Sequence, residues 1–221
     1  MEIRSVDSFL PYFETIRERT MRVLRVVPAH RLEWRHSPGV FSSGDLARHI
    51  AAVERWTFAE NVVGRPSRYR GCGTDLAEGL DGVMGFMENM HGETVEILKG
   101  LTPEDLERKG TSPQGVPVTA WKLLRAMIEH EVHHRGEMYV YLALLGVPRP
   151  PLYGVTESEL RRSSVALSVL VNRSTLTAPC GRGTKLLASR DHRERWLLGV
   201  YKPELRAETR AMADQSNSPS P

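Results

Sequence analysis

The sequence predicts an all-α protein: a four-helix bundle with a metal site in its core, followed by an irregular C-terminal extension. Three observations carry this. Residues 1–160 divide into four amphipathic runs of about 20–27 residues, bounded by capping residues, glycine or proline. No stretch of that span alternates apolar and polar residues as a half-buried strand would. Several histidines fall on the apolar stripes, where an imidazole without a partner is costly to bury.

The first helix is expected from about Val6 to Val26, with Asp7 or Ser8 as cap, Pro11 in its first turn and Pro28 as its stop. Phe9, Phe13, Ile16, Thr20, Val23 and Val27 form its apolar stripe. A loop to Phe41 follows, in which His30 and His36 read as solvated. The second helix opens at Ser42, paired with Asp45 in a capping pattern, and runs to about Val63, where Gly64 and Pro66 end it. Its inward positions are Leu46, His49/Ile50, Val53 and Trp56/Thr57, so His49 faces inward.

Residues 64–74 read as a loop, with room for a crossover. The third helix is expected from Asp75, with Glu78 completing a cap, to Leu98 before Gly100. Its stripe is Leu80, Met84, Met87, His91, Val95 and Leu98. Gly79, Gly82, Gly85 and Gly92 each weaken it by up to ~1 kcal/mol, so either tertiary packing holds it or the glycines admit a close neighbour. Thr102 to Leu106 carries a short helix start, and residues 108–118 read as a polar loop. The fourth helix, capped near Thr119, runs to Leu145 and stops at Gly146-Val147-Pro148. Residues 149–154 are extended, and Thr156 with Glu159 opens one last short helical turn. The longer connections leave room for a non-sequential helix order.

The fourth helix contains the richest stretch, Ile128-Glu129-His130-Glu131-Val132-His133-His134-Arg135-Gly136-Glu137. At ~3.6 residues per turn, His130 and His134 project from one side, about 40° apart, and can share a metal ion. His133 points roughly 100° away from His134 and is not expected to be a ligand. Met127, His130, His134, Met138, Tyr141 and Leu145 share one stripe. The alternative is a pair of core histidines bonded to carboxylates or water. The run also matches H-E-x-x-H, which makes Glu131 a candidate general base of a zinc protease with Glu157 or Glu159 as third ligand. Pro148, Pro150 and Pro151 argue against that, because no following helix positions the acid.

Composition narrows the function. The net charge of +3 belongs to the tail: residues 1–160 carry 19 basic against 22 acidic side chains, and residues 161–221 carry 11 against 5. The helical part thus lacks an electrostatic footprint for nucleic acid. No apolar run approaches the ~18 residues of a membrane span, and the N-terminus lacks a signal core, so a cytoplasmic protein is expected. Cys72 and Cys180 read as free thiols. From 164 to 221 the character changes, and the end reads as partly disordered and dispensable for the bundle of residues 1–163.

Residues 1–160 resemble the DinB-like (YfiT-like) family of metal-dependent enzymes. The resemblance rests on Leu46-Ala47-Arg48-His49-Ile50, on His130 to Glu137, on Tyr141-Leu142 before Gly146-Val147-Pro148, and on Pro150-Pro151-Leu152-Tyr153-Gly154. It implies a four-helix bundle in which His49, His130 and His134 bind a divalent ion such as Zn, Ni, Fe or Mn. Those are three of the positions that the helix faces already placed inward. Glu137 departs from the family, whose members often carry glutamine after Arg-Gly. Glu131 and Glu137 are the candidate proton carriers. The resemblance further implies activation of a low-molecular-weight thiol of the bacillithiol or mycothiol type, or of water, for attack on an electrophile. The expected partners are that thiol and substrate, and a second copy in a homodimer, with neither nucleic acid nor membrane. A non-catalytic, stress-related metal-binding bundle is the second reading.

Overall fold

Four long helical segments appear in the computed structural model, which describes residues 2–112 and 114–164. The extension expected from 164 onward, with Cys180 and His192, lies outside the described residues save for Ser164 itself. Helix α1 spans Val6–Arg25 and follows Ser5 directly, so Asp7 and Ser8 lie in its first turn rather than capping it. Pro11 falls inside the helix, one turn later than expected, on the exposed side, where water can serve the freed Asp7 carbonyl. Helix α2 spans Ser43–Val53 and starts with the full capping box: the Asp45 N–H donates to Ser42 Oγ, and the Ser42 N–H donates to Asp45 Oδ2, both at 2.9 Å. It continues through a π-helical turn, Glu54–Phe58, into α3, Ala59–Val62, and stops at Gly64 with φ +78°.

Helix α4 spans Gly79–Lys99 and starts four residues later than the Asp75/Glu78 cap predicts. Residues 74–76 form a separate turn, and Gly79, at φ +69°, redirects the chain into the helix. A Cβ at Gly82, Gly85 or Gly92 would meet nothing within 4 Å. The glycines therefore admit no neighbour, and packing of Val83, Met87, His91, Thr94 and Leu98 holds α4 in place.

A short helix α5, Pro103–Glu107, has its own capping box from Thr102 and Asp105. The expected loop at 108–118 is instead a small antiparallel hairpin, β1 (Lys109–Thr111) with β2 (Pro117–Thr119). Strands of three residues are too short to display alternation in a sequence. Gly110 is required there, because a Cβ would overlap the Asn61 carbonyl oxygen at the end of α3. Helix α6, Ala120–Leu144, completes the bundle. Beyond it, Thr156 and Glu159 cap a short helix over 157–164.

Helix α1 packs on α4 and α6, and so does the α2–α3 segment. Sequence neighbours α1 and α2 therefore stand across the bundle from each other, the non-sequential order that the long connections allow. Two apolar clusters fill the interior. One centres on Phe9, Phe13, Phe58, Leu98 and Leu124, the other on Leu24, Leu46, Ile50, Met87 and Met138. A buried polar layer of Arg17, Thr20, Glu54, His91, Thr94 and Glu131 lies between them along every long helix.

Candidate metal centre

Two helices place the three predicted histidines. On α2, His49 lies one turn after the capping box, beside core residue Ile50. On α6, His130 and His134 are one turn apart. The α2–α6 contact brings all three together, half-buried on the seam at the margin of the core. Their ligand nitrogens lie within 4.8 Å of one another, and His49 Nε2 is 3.1 Å from His130 Nε2. Burial first, then the neighbouring His134, holds the His49 imidazole down to about 4. Burial with His134, His49 and His133 holds His130 down to about 3. Both are neutral near pH 7 and present lone pairs.

Glu137 supports the triad from the same helix. His134 Nδ1 donates to Glu137 Oε2 at 2.7 Å, which leaves the His134 Nε2 lone pair free. The other Glu137 oxygen is 3.6 Å from His133 Nε2. The His133 side chain is 67% exposed and stands outside the triad, as its angular position predicts. Two aromatic rings flank His49: Phe41 at 5.5 Å between centroids and Tyr69 edge-on at 5.6 Å. The Tyr69 hydroxyl is 2.8 Å from His49 Nδ1. Burial foremost, with Cys72 beside it, pushes the Tyr69 hydroxyl up, so it stays neutral. Burial likewise pushes the Cys72 thiol up, so it is no thiolate at neutral pH.

Glu131, the candidate general base, is not brought to the histidines. About 100° round α6 from His130, it enters the polar layer inside the bundle. The Thr20 hydroxyl donates to its Oε1 at 2.5 Å, and Arg17 Nη2 lies 3.2 Å from its Oε2. Arg17 also donates to Glu54, whose Oε1 is 3.1 Å from His91 Nδ1. Burial pushes Glu131 up. Burial also acts on Glu54, but Arg17, His91 and Thr94 outweigh it and bring Glu54 down. His91, on its predicted inward stripe, thus belongs to this layer and not to the triad. Glu159 is taken up by its cap on Thr156. Among the described residues none of Glu131, Glu157 and Glu159 lies close enough to share an ion with His130 and His134, so the protease reading finds neither its base nor its third ligand there. Among the described residues, His/Cys/Asp/Glu groups close enough to share an ion are His49–His130–His134 and His133–His134–Glu137.

The sequence model of the DinB superfamily matches residues 12–138, over half the chain, from α1 to beyond His134 on α6. The chain belongs to the DinB superfamily. Among solved structures it is similar to a DinB-like protein from Bacillus cereus ATCC 10987, at TM-score 0.58 and 22% identity, covering 68% of this chain and 99% of that one. The DinB-like protein YjoA from Bacillus subtilis is similar at TM-score 0.55 and 25% identity, over 66% of this chain and 96% of that one. In sequence, 63 residues are 43% identical to the uncharacterized protein YjoA of Bacillus subtilis strain 168. That alignment spans 28% of this chain and 41% of the relative.

In this DinB-superfamily bundle the donor set fits a divalent cation. Two imidazoles held neutral by burial meet a third whose outer nitrogen is bonded to a carboxylate. Imidazole suits Zn, Ni and Fe, and three such ligands leave a further coordination position open. The sequence reading missed Tyr69, a loop residue whose spacing carries no signal. It also missed the buried partners of Glu131.

Proposed function

We propose that the chain binds a divalent metal ion through His49, His130 and His134 and uses it to activate a small thiol, or water, against an electrophilic substrate. One observation carries the reading: three half-buried imidazoles from two helices converge, with ligand nitrogens within 4.8 Å of one another. A divalent cation supplies positive charge that favours thiolate over thiol near neutral pH. The chain's own groups do the rest. The three imidazoles bind, and Glu137 orients His134. The Glu137 oxygen not bonded to His134, on a side chain 41% exposed, takes the proton that the thiol gives up. The thiolate sulfur then forms a bond to the electrophilic carbon. The electron pair of the broken bond leaves with the displaced group, or enters the π system of an acceptor, and the Glu137 proton is returned there. Phe41 and Tyr69 pack their rings beside His49.

The test starts with metal analysis of protein purified without a histidine tag. Addition of bacillithiol to a model electrophile should then depend on the metal and disappear in His130→Ala. A fully metallated protein that neither transfers the thiol, nor hydrolyses the substrate, nor perturbs the thiol's titration defeats the catalytic reading. The non-catalytic metal-binding bundle then stands in its place.

A further inference from the structure

We infer that Tyr69 is a positioning residue of the metal centre, its hydroxyl holding His49 Nδ1 so that Nε2 faces the shared ion. The inference rests on the metal-binding reading of the triad. Its geometry is direct. Tyr69 Oη lies 2.8 Å from His49 Nδ1, while His49 Nε2 faces His130 Nε2 at 3.1 Å. A neutral imidazole that ligates through Nε2 carries its proton on Nδ1, and that proton needs an acceptor. Tyr69 supplies it for His49 as Glu137 does for His134, one through a hydroxyl oxygen and one through a carboxyl oxygen.

The loop at 64–78 that bears Tyr69 is tied down on both sides of it. Before Tyr69, the Arg68 N–H donates to the Trp56 carbonyl at 2.7 Å, and the hydroxyls of Ser67 and Thr57 meet at 2.8 Å. Both anchors are on the π-helical turn. After Tyr69, Arg48 Nε donates to the Cys72 carbonyl at 2.8 Å and its Nη1 to the Ala77 carbonyl at 3.2 Å. The Arg48 side chain is fully buried and is itself clamped by Glu33 and Asp45. It neighbours His49 on α2, so one buried arginine fixes both the ligand helix and the loop that aims the ligand. Tyr69 is 39% exposed, so little of the bundle's stability depends on its hydroxyl.

Tyr69→Phe removes the hydroxyl and keeps the edge-on ring. Zn(II) affinity of the full chain is measured by competition with a chromophoric chelator, and the Co(II) absorption spectrum reports ligand geometry. The expected result is a loss of affinity of about 10-fold or more and an altered Co(II) spectrum, with the metal-free melting temperature unchanged. Tyr69→Ala should lose at least as much. If Tyr69→Phe binds Zn(II) as the wild type does and only Tyr69→Ala weakens, the ring alone matters and the inference is overturned while the metal reading stands. A wild-type chain that takes up no metal overturns both.

Discussion

Replacing Arg17 by leucine should destabilise the bundle strongly at neutral pH and only mildly at pH 5. The Arg17 side chain is 5% exposed and stands between Glu54 and Glu131, each 2% exposed. Leucine restores apolar volume but leaves two buried carboxylates without their cation. Breaking a buried ion pair in this way costs about 3–5 kcal/mol. The same scale follows from proton linkage. The least costly relief is to protonate one carboxylate, and holding a glutamate of unfolded pKa ~4.3 neutral at pH 7 costs about 3.7 kcal/mol. At pH 5 the same protonation costs about 1 kcal/mol. The sign follows from the raised folded pKa: the stability is present below the unfolded pKa and is lost as pH rises toward the folded one. Urea melts followed by circular dichroism, for wild type and Arg17→Leu at both pH values, read the difference. Adding Glu54→Gln and Glu131→Gln to Arg17→Leu should remove most of the pH dependence. A penalty equal at pH 5 and 7, or below about 1 kcal/mol at pH 7, would refute the view that Arg17 neutralises these two carboxylates.

Three further outcomes are expected. Gly82→Ala and Gly92→Ala, at open helical positions, should each stabilise by roughly 0.5–1 kcal/mol, seen as a higher melting temperature; destabilisation would show that something occupies the space. Metal content should be lost in His49→Ala and unchanged in His133→Ala, whose side chain lies outside the triad; plasma emission spectrometry on dialysed protein decides it. Burial raises Asp45, but the Ser42 N–H and the Arg48 guanidinium outweigh it and hold the carboxyl below its usual range. Its stabilisation is thus present above the unfolded value and lost as pH falls, and Asp45→Asn should flatten the acid limb of a stability–pH curve.

What the sequence disclosed and what it withheld differ in physical kind. Caps and stops are local chemistry, so Ser42/Asp45, Thr102/Asp105 and Gly64 marked boundaries that the fold keeps. The i,i+4 spacing of His130 and His134 is equally local, and with His49 it was enough to indicate a shared site. Thr20 and His91 of the polar layer fell on inward stripes, but its charged members, Arg17, Glu54 and Glu131, were hidden because charges read as a solvated face. On α6 the positions facing deepest into the bundle run Leu124, Ile128, Glu131, Arg135, Met138, Leu142. Two charges interrupt that stripe, so the neighbouring one through His130 and His134 reads as the more apolar. A clue existed on α1, where Arg17 lies four residues after Phe13 and three before Thr20, on the same inward stripe. Glu54 gave a similar one, four residues after Ile50 and three after Ala51 on the buried face of α2, because the π-helical turn that begins there changes the phase only of the residues after it. This displacement bears on function. With the deepest stripe occupied by Glu131 and Arg135, the histidines are left half-buried on the α2–α6 seam. A ligand centre reached by small molecules needs such a place, open enough for entry and buried enough to keep imidazole neutral.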